Sequence, residues 1–155
     1  MKQAFFQVIE NTALTESVYR MKLTGDTEGI RTGQFVNIKL DGLFLRRPIS
    51  VCDVEGDTLT LIYKVVGKGT EQMSQMTGGT LDVLTGLGNG YDLTTSGDHP
   101  LLIGGGVGVP PLYLAAKLLR AEGKQVSVIL GFNTKDEIFY EQEFAALGCD
   151  VTVTT

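Results

Sequence analysis

Leu101-Leu-Ile-Gly-Gly-Gly-Val-Gly-Val-Pro-Pro111 is the stretch whose reading decides the fold. It starts as a short apolar strand, Leu101 to Ile103, passes through a glycine turn and enters a helix opened by proline. Pro110 and Pro111 suit a first helical turn, where a missing N–H costs nothing and φ is already set. Gly104, Gly105, Gly106 and Gly108 carry no Cβ, so their backbone can lie close to a bulky anion. The helix behind them is expected to aim free N–H groups and its positive dipole end over the glycines, which makes a phosphate the natural occupant. Before residue 100 the chain is β-rich; after it, strand and helix alternate. The turn is therefore also a seam, with one unit over 1–97 and another over 98–155.

Downstream of the turn, apolar residues at 112, 114, 115, 118 and 119 repeat at helical spacing up to Glu122-Gly123. Residues 125–130 form a nearly continuous apolar run, as a buried parallel strand requires. Residues 135–147 read as a second helix with Ile138, Phe139, Phe144 and Leu147 inward, and 149–154 as a third strand containing a buried Cys149. This β-α-β-α-β order is one half of a doubly wound nucleotide-binding domain. It lacks the acidic ribose-binding residue about twenty positions after the glycines, offering only Asp136 and Glu137 beyond Gly131-Phe132-Asn133.

Upstream, strands are expected at 3–10, 17–24, 33–40, 44–53, 57–66 and 80–85, with a short helix over 70–77 whose Met73 and Met76 face a core. In the second strand Val18, Arg20, Lys22 and Thr24 alternate with Tyr19, Met21 and Leu23. Six short strands separated by turns imply a closed antiparallel barrel, because closure removes exposed edges. The fourth strand contains Leu45-Arg-Arg-Pro-Ile-Ser50. Proline donates nothing to a ladder, so Pro48 needs an edge, a bulge or a ligand-facing segment. Arg47 and Ser50 would fall on opposite faces of a regular strand, and a break at Pro48 would bring them to one site. A surface arginine pair on a barrel edge is the plain alternative. Against it stand Lys64 on the next strand and Lys68-Gly69-Thr70 opening a helix, the ingredients of a pyrophosphate cradle.

Arg47-Pro48-Ile49-Ser50, Ile62-Tyr63-Lys64 and Gly69-Thr70 resemble the flavin-binding segments of the ferredoxin–NADP reductase superfamily. With Gly86-Leu-Gly-Asn-Gly90 and Gly104-Gly-Gly-Val-Gly-Val-Pro-Pro-Leu-Tyr113, the chain is similar to one branch of it, the electron-transfer subunits of class B dihydroorotate dehydrogenases, over essentially all 155 residues. The resemblance implies a six-stranded antiparallel Greek-key barrel that binds FAD, followed by a partial doubly wound NAD-binding domain. Arg47 would hold the FAD pyrophosphate together with the backbone of Gly69 and Thr70. Ser50 would hydrogen-bond the flavin's reactive edge, Ile62, Tyr63 and Lys64 would line the cofactor (Ile62 and Tyr63 fit barrel core equally well), and Gly106 to Pro110 would meet a nicotinamide nucleotide (NAD). Where the superfamily usually has tyrosine this chain has Ile49, so aliphatic contact replaces an aromatic surface. The branch passes electrons from dihydroorotate, through the catalytic subunit's FMN and a 2Fe–2S cluster, to FAD and NAD⁺ in pyrimidine biosynthesis. That cluster needs four cysteines, and the chain has only Cys52 and Cys149. The expectation is thus a truncated subunit whose partner is the catalytic subunit and whose uncovered α/β surface favours self-association. The alternative is a flavin-binding or structural module that docks a partner without transferring electrons.

Composition bounds the rest. The net charge is −5, with 9 basic and 12 acidic side chains in 1–100 and 4 against 6 in 101–155. Neither half is basic, which argues against nucleic acid and against a polybasic membrane surface. No apolar run approaches the ~20 residues of a membrane span, and no secretory signal core opens the chain. Two distant cysteines fit neither a disulfide framework nor a metal box, so a cytoplasmic protein with reduced thiols is expected. His99, the single histidine, precedes Pro100 in a polar loop and reads as a solvated residue rather than a catalyst.

Overall fold

In the computed structural model, which describes residues 1–155, alternation in the first hundred residues produces six strands. They are β1 (Lys2–Ala13), β2 (Val18–Thr24), β3 (Phe35–Lys39), β4 (Arg47–Glu55), β5 (Thr58–Lys64) and β6 (Thr80–Leu87), with helix α1 (Lys68–Ser74) between the last two. The strands close into an antiparallel barrel in the order β1-β2-β5-β4-β3-β6. Alternate residues point into it: Phe6, Met21, Leu23, Val36, Ile38, Leu59, Leu61 and Val83 are all fully buried. Each such large apolar side chain contributes roughly 1.5–3 kcal/mol relative to exposure.

The expected β-α-β-α-β order follows as β7 (Leu101–Gly105), α2 (Pro110–Ala121), β8 (Ser127–Gly131), α3 (Glu141–Ala146) and β9 (Asp150–Thr154). The three strands are parallel in the order β7-β8-β9. Leu102, Val128, Leu130, Val151 and Val153 line the face that packs under the helices, while Leu101 and Ile103 on the opposite face are 54% and 65% exposed.

Two details differ from the sequence reading. The helix expected over 135–147 is broken. Lys135–Glu137 makes a 3-10 turn, Ile138 is extended, and Tyr140 stands at φ 69° before α3 begins. The break seats consecutive aromatics separately, Phe139 against Phe132 (5.3 Å) and Tyr140 against Tyr113 (5.1 Å). Cys149 is half-buried just ahead of β9, not a buried strand thiol. His99 is exposed, as expected. No helix is long and apolar enough to cross a membrane.

Barrel and α/β layer share a core. Val18, Cys52 and Ile62 on the barrel's outer surface pack with Val109, Ala116, Leu119, Phe139, Tyr140 and Phe144. Lys117 of α2 reaches Asp53 of β4 at 3.2 Å. Helix α1, which buries Met73 against the barrel core, is fixed by a polar network rather than by length. Tyr63 Oη donates to Asn11 Oδ1 (2.8 Å), and Asn11 Nδ2 donates to the carbonyls of Met73 (2.7 Å) and Met76 (3.0 Å) at the end of that helix. Asn11→Ala removes three hydrogen bonds and strands a buried hydroxyl; it is expected to cost about 2–3 kcal/mol in urea unfolding, far more than an exposed surface change.

Candidate functional site

The site begins where two barrel strands part. β4 pairs with β3 over Arg47–Ser50 but with β5 only from Val51 onward, and Ile62–Lys64 of β5 pair only with β2. Between residues 47–50 and 62–64 no ladder runs. Pro48 is tolerated because this half of β4 has a neighbour on one side alone. The break expected at Pro48 is absent: Arg47, Pro48, Ile49 and Ser50 face Ile38, Asn37, Val36 and Phe35 in unbroken register. Arg47 and Ser50 therefore lie on opposite faces, and the irregularity falls later, between Val51 and Asp53.

The two arginines have separate tasks. Arg46 is structural, its guanidinium donating to the carbonyls of Asn37 and Asp82 (3.2 Å each) and to the Asp82 carboxylate (3.1 Å). Arg47 makes no ion pair; its guanidinium donates to the Leu45 carbonyl, and its side chain lies directly across Gly69. A Cβ on Gly69 would run into Arg47 Cγ, Cδ and Nε. Gly69 lies in the first turn of α1, where backbone N–H groups have no intrahelical acceptor. The Thr70 hydroxyl is already engaged, accepting from the N–H groups of Val66 (2.9 Å) and Gly67 (3.3 Å). Lys64 and Lys68 are exposed.

Ile62 and Tyr63 turn their side chains away from the parting. Ile62 is 3% exposed in the shared core and Tyr63 is 2% exposed in the barrel core, where burial pushes its phenol up to about 12. Only their backbone faces β4. Ile49 packs partly against the barrel core, and Pro48 is exposed.

A cleft of about 550 Å³ opens between the barrel and the α/β layer. Its walls are the C-terminal ends of the parallel strands (Gly105, Gly131, Thr154) and, from the barrel, Ser17, Val18 and Lys64. Open α/β sheets bind ligands at this end of their strands. Gly106, Val107, Phe132, Asn133 and Glu137 complete it. Lys64 is the expected residue that joins cleft and barrel; Arg47 to Ser50 stand outside it. Ser17 escaped the sequence reading because it sits in the β1–β2 turn, held by Thr15 Oγ1, where no periodicity signals proximity to β7. A second hollow of about 720 Å³, between Arg31, Tyr91 and Leu118, contains none of the expected residues.

The glycine turn works differently from expectation. Gly106 has φ +53°, whereas Gly104 is required by packing: a Cβ there would meet Gly108 O at 2.9 Å and Leu112 Cδ1 at 2.7 Å. The start of α2 presents few donors. Pro110 and Pro111 have no N–H, Val109 N bonds Gly106 O (3.1 Å) and Leu112 N bonds Val109 O (3.0 Å). Pro110 is buried. The donors left at this turn are therefore on the exposed glycine backbone of 106–108 rather than in the first turn of α2. No group of three or more His, Cys, Asp or Glu side chains could hold a metal, and burial pushes the Cys52 thiol well above the usual range.

No protein-family model matches the chain. Curated relatives do. The chain is 44% identical over 158 residues to the electron transfer subunit of dihydroorotate dehydrogenase B (NAD(+)) from Bacillus pumilus, covering 96% of this chain and 61% of the relative. The Fusobacterium nucleatum protein of the same name is 46% identical over 151 residues, covering 91% and 58%. Among solved structures, the NADH-dependent reduced ferredoxin–NADP oxidoreductase superposes with a TM-score of 0.85 at 32% identity, over 96% of this chain and 55% of that one. A ferredoxin reductase of carbazole 1,9a-dioxygenase gives 0.87 at 22% identity, over 99% and 51%, which speaks for the fold alone. The barrel and the partial parallel sheet thus have the ferredoxin reductase-like fold. The chain is similar to these electron transfer subunits, and it spans about three-fifths of the length of the curated relatives it matches.

The glycines differ in a testable way. Gly104→Ala forces backbone and Leu112 apart and is expected to lose about 1–3 kcal/mol. Gly108→Ala, with open space around its Cβ, should leave the melting temperature within about 2 °C of the parent.

Proposed function

We propose that this chain binds FAD on the barrel rim and, as a cytoplasmic subunit, passes electrons between NAD(H) in the cleft and the catalytic subunit of a dihydroorotate dehydrogenase. The observation that carries the reading is the crossing of Arg47 over Gly69 beside the unpaired halves of β4 and β5. It gives a cation without a carboxylate partner, a helix-start backbone bare of Cβ and an open strand edge at one place. That set fits a diphosphate-linked planar ring.

When bound, the flavin supplies the redox chemistry itself, exchanging a hydride with a nicotinamide and electrons with a protein partner. What this chain contributes is grip and placement. The Arg47 guanidinium offers charge-assisted hydrogen bonds to the diphosphate, worth roughly 1.5–3 kcal/mol. Gly69 lets that side chain and the α1 backbone act from one spot. Ser50, half-buried on the outer face of β4, offers its hydroxyl to the ring edge, and Lys64 stands between ring and cleft. Gly105 and Gly106 allow a second flat ring to approach. No general acid or base is required. The bare sheet face with Leu101 and Ile103 is a further surface through which copies of this chain would associate.

Anaerobic titration with NADH, followed in the visible spectrum after loading with FAD, tests the reading. The flavin absorbance should bleach. A protein that stays colourless with FAD refutes it, and one that turns yellow but is not bleached is the non-transferring module instead.

A further inference from the structure

Phe44 is 99% exposed, the most exposed large apolar side chain in the protein, and it sits in the loop that enters β4. That loop is held on three sides. Leu43 N bonds Leu40 O (3.2 Å) and the Leu43 side chain packs on the barrel core; Gln72 of α1 donates to Asp41 O (3.2 Å); and the Arg47 guanidinium donates to Leu45 O. Phe44 is thus a ring presented outward on an anchored support, one residue from the carbonyl that Arg47 grips. Phe44 and its exposed neighbour Leu45 together offer a small apolar surface on which a flat ring can stack.

The position along β4 identifies that ring. Strand residues advance about 3.3 Å each, so Ser50 lies roughly 10 Å beyond Arg47 along β4, while Phe44 precedes Arg47 in the entering loop, next to the Leu45 whose carbonyl the Arg47 guanidinium holds. A dinucleotide whose diphosphate rests at Arg47 and Gly69, with its flavin over Pro48 to Ser50, sends its adenosine back along Leu45 and Phe44. We propose that Phe44 is the stacking platform for the adenine of FAD, with the exposed Leu45 (66%) beside it. The inference rests on the flavin reading above. Purine rings stack on aromatic faces, and removing such a face typically weakens binding about fivefold to a hundredfold.

The test compares FAD with FMN, which shares the flavin and lacks the adenosine, by fluorescence titration of the whole chain. Phe44→Ala should weaken FAD binding about tenfold and leave FMN affinity unchanged, while Phe44→Trp should retain FAD affinity. Unchanged FAD affinity in Phe44→Ala overturns the inference and leaves Phe44 to a protein partner. Equal losses for FAD and FMN overturn it as well, since the effect would then not lie at the adenine. If the parent chain binds neither nucleotide, the flavin reading falls first and this inference with it.

Discussion

The structure turns on one close approach, the Arg47 side chain lying across the backbone of Gly69. It requires a residue without Cβ in the first turn of α1 and an arginine that no carboxylate captures. Both conditions are met because the neighbouring Arg46 takes the Asp82 carboxylate and two carbonyls for the barrel, leaving Arg47 free of that duty. The adjoining halves of β4 and β5 stay unpaired, and the barrel tolerates the lost ladder because β3 and β2 hold each of them from the other side. The closed barrel thus carries one unzipped seam, with open strand edges beside Arg47.

Position matters as much as opening, and the shared core supplies it. Val18, Cys52 and Ile62 point out of the barrel into an apolar layer with α2, β8 and α3, so the parallel sheet is carried on the barrel wall. Tyr140 adopts a left-handed backbone to enter that layer, and burial pushes its phenol upward as it does the Cys52 thiol. A tyrosine held at φ 69° costs of order 1 kcal/mol or more, a sign that the surrounding aromatics over-determine it. The cleft is formed as a consequence: the strand ends carrying Gly105 and Gly131 face Lys64 and Ser17 across a fixed gap.

Much of this is legible in the sequence. Period-two alternation placed six strands, because one face of each must enter the barrel, and the Gly-Pro transition at 104–111 marked the seam. That Arg47 and Gly69 belong to one place is expected from the family resemblance, not from residue types. What escaped the reading depends on tertiary choices. Nothing local distinguishes Arg46 from Arg47; the partner Asp82 decides. Ile62 and Tyr63 read equally well as cofactor lining or as core, and only the two cores that claim their side chains decide. The helix expected over 135–147 has adequate periodicity throughout, but packing of Phe139 and Tyr140 on different partners splits it. Helix α2 has its prolines in the favoured place, and those same prolines leave its first turn with few donors, so that free N–H groups lie in the preceding glycine turn instead. Phe44 has no sequence signal beyond its neighbours, since exposure is a property of the loop's anchors.

The central claim is that a diphosphate is gripped where Arg47 crosses Gly69. The most direct measurement is the dissociation constant for FAD of Arg47→Ala against the parent chain. A loss of at least about 1.5 kcal/mol, more than tenfold, is expected with the fold intact by circular dichroism. An unchanged constant in a folded variant would contradict the account.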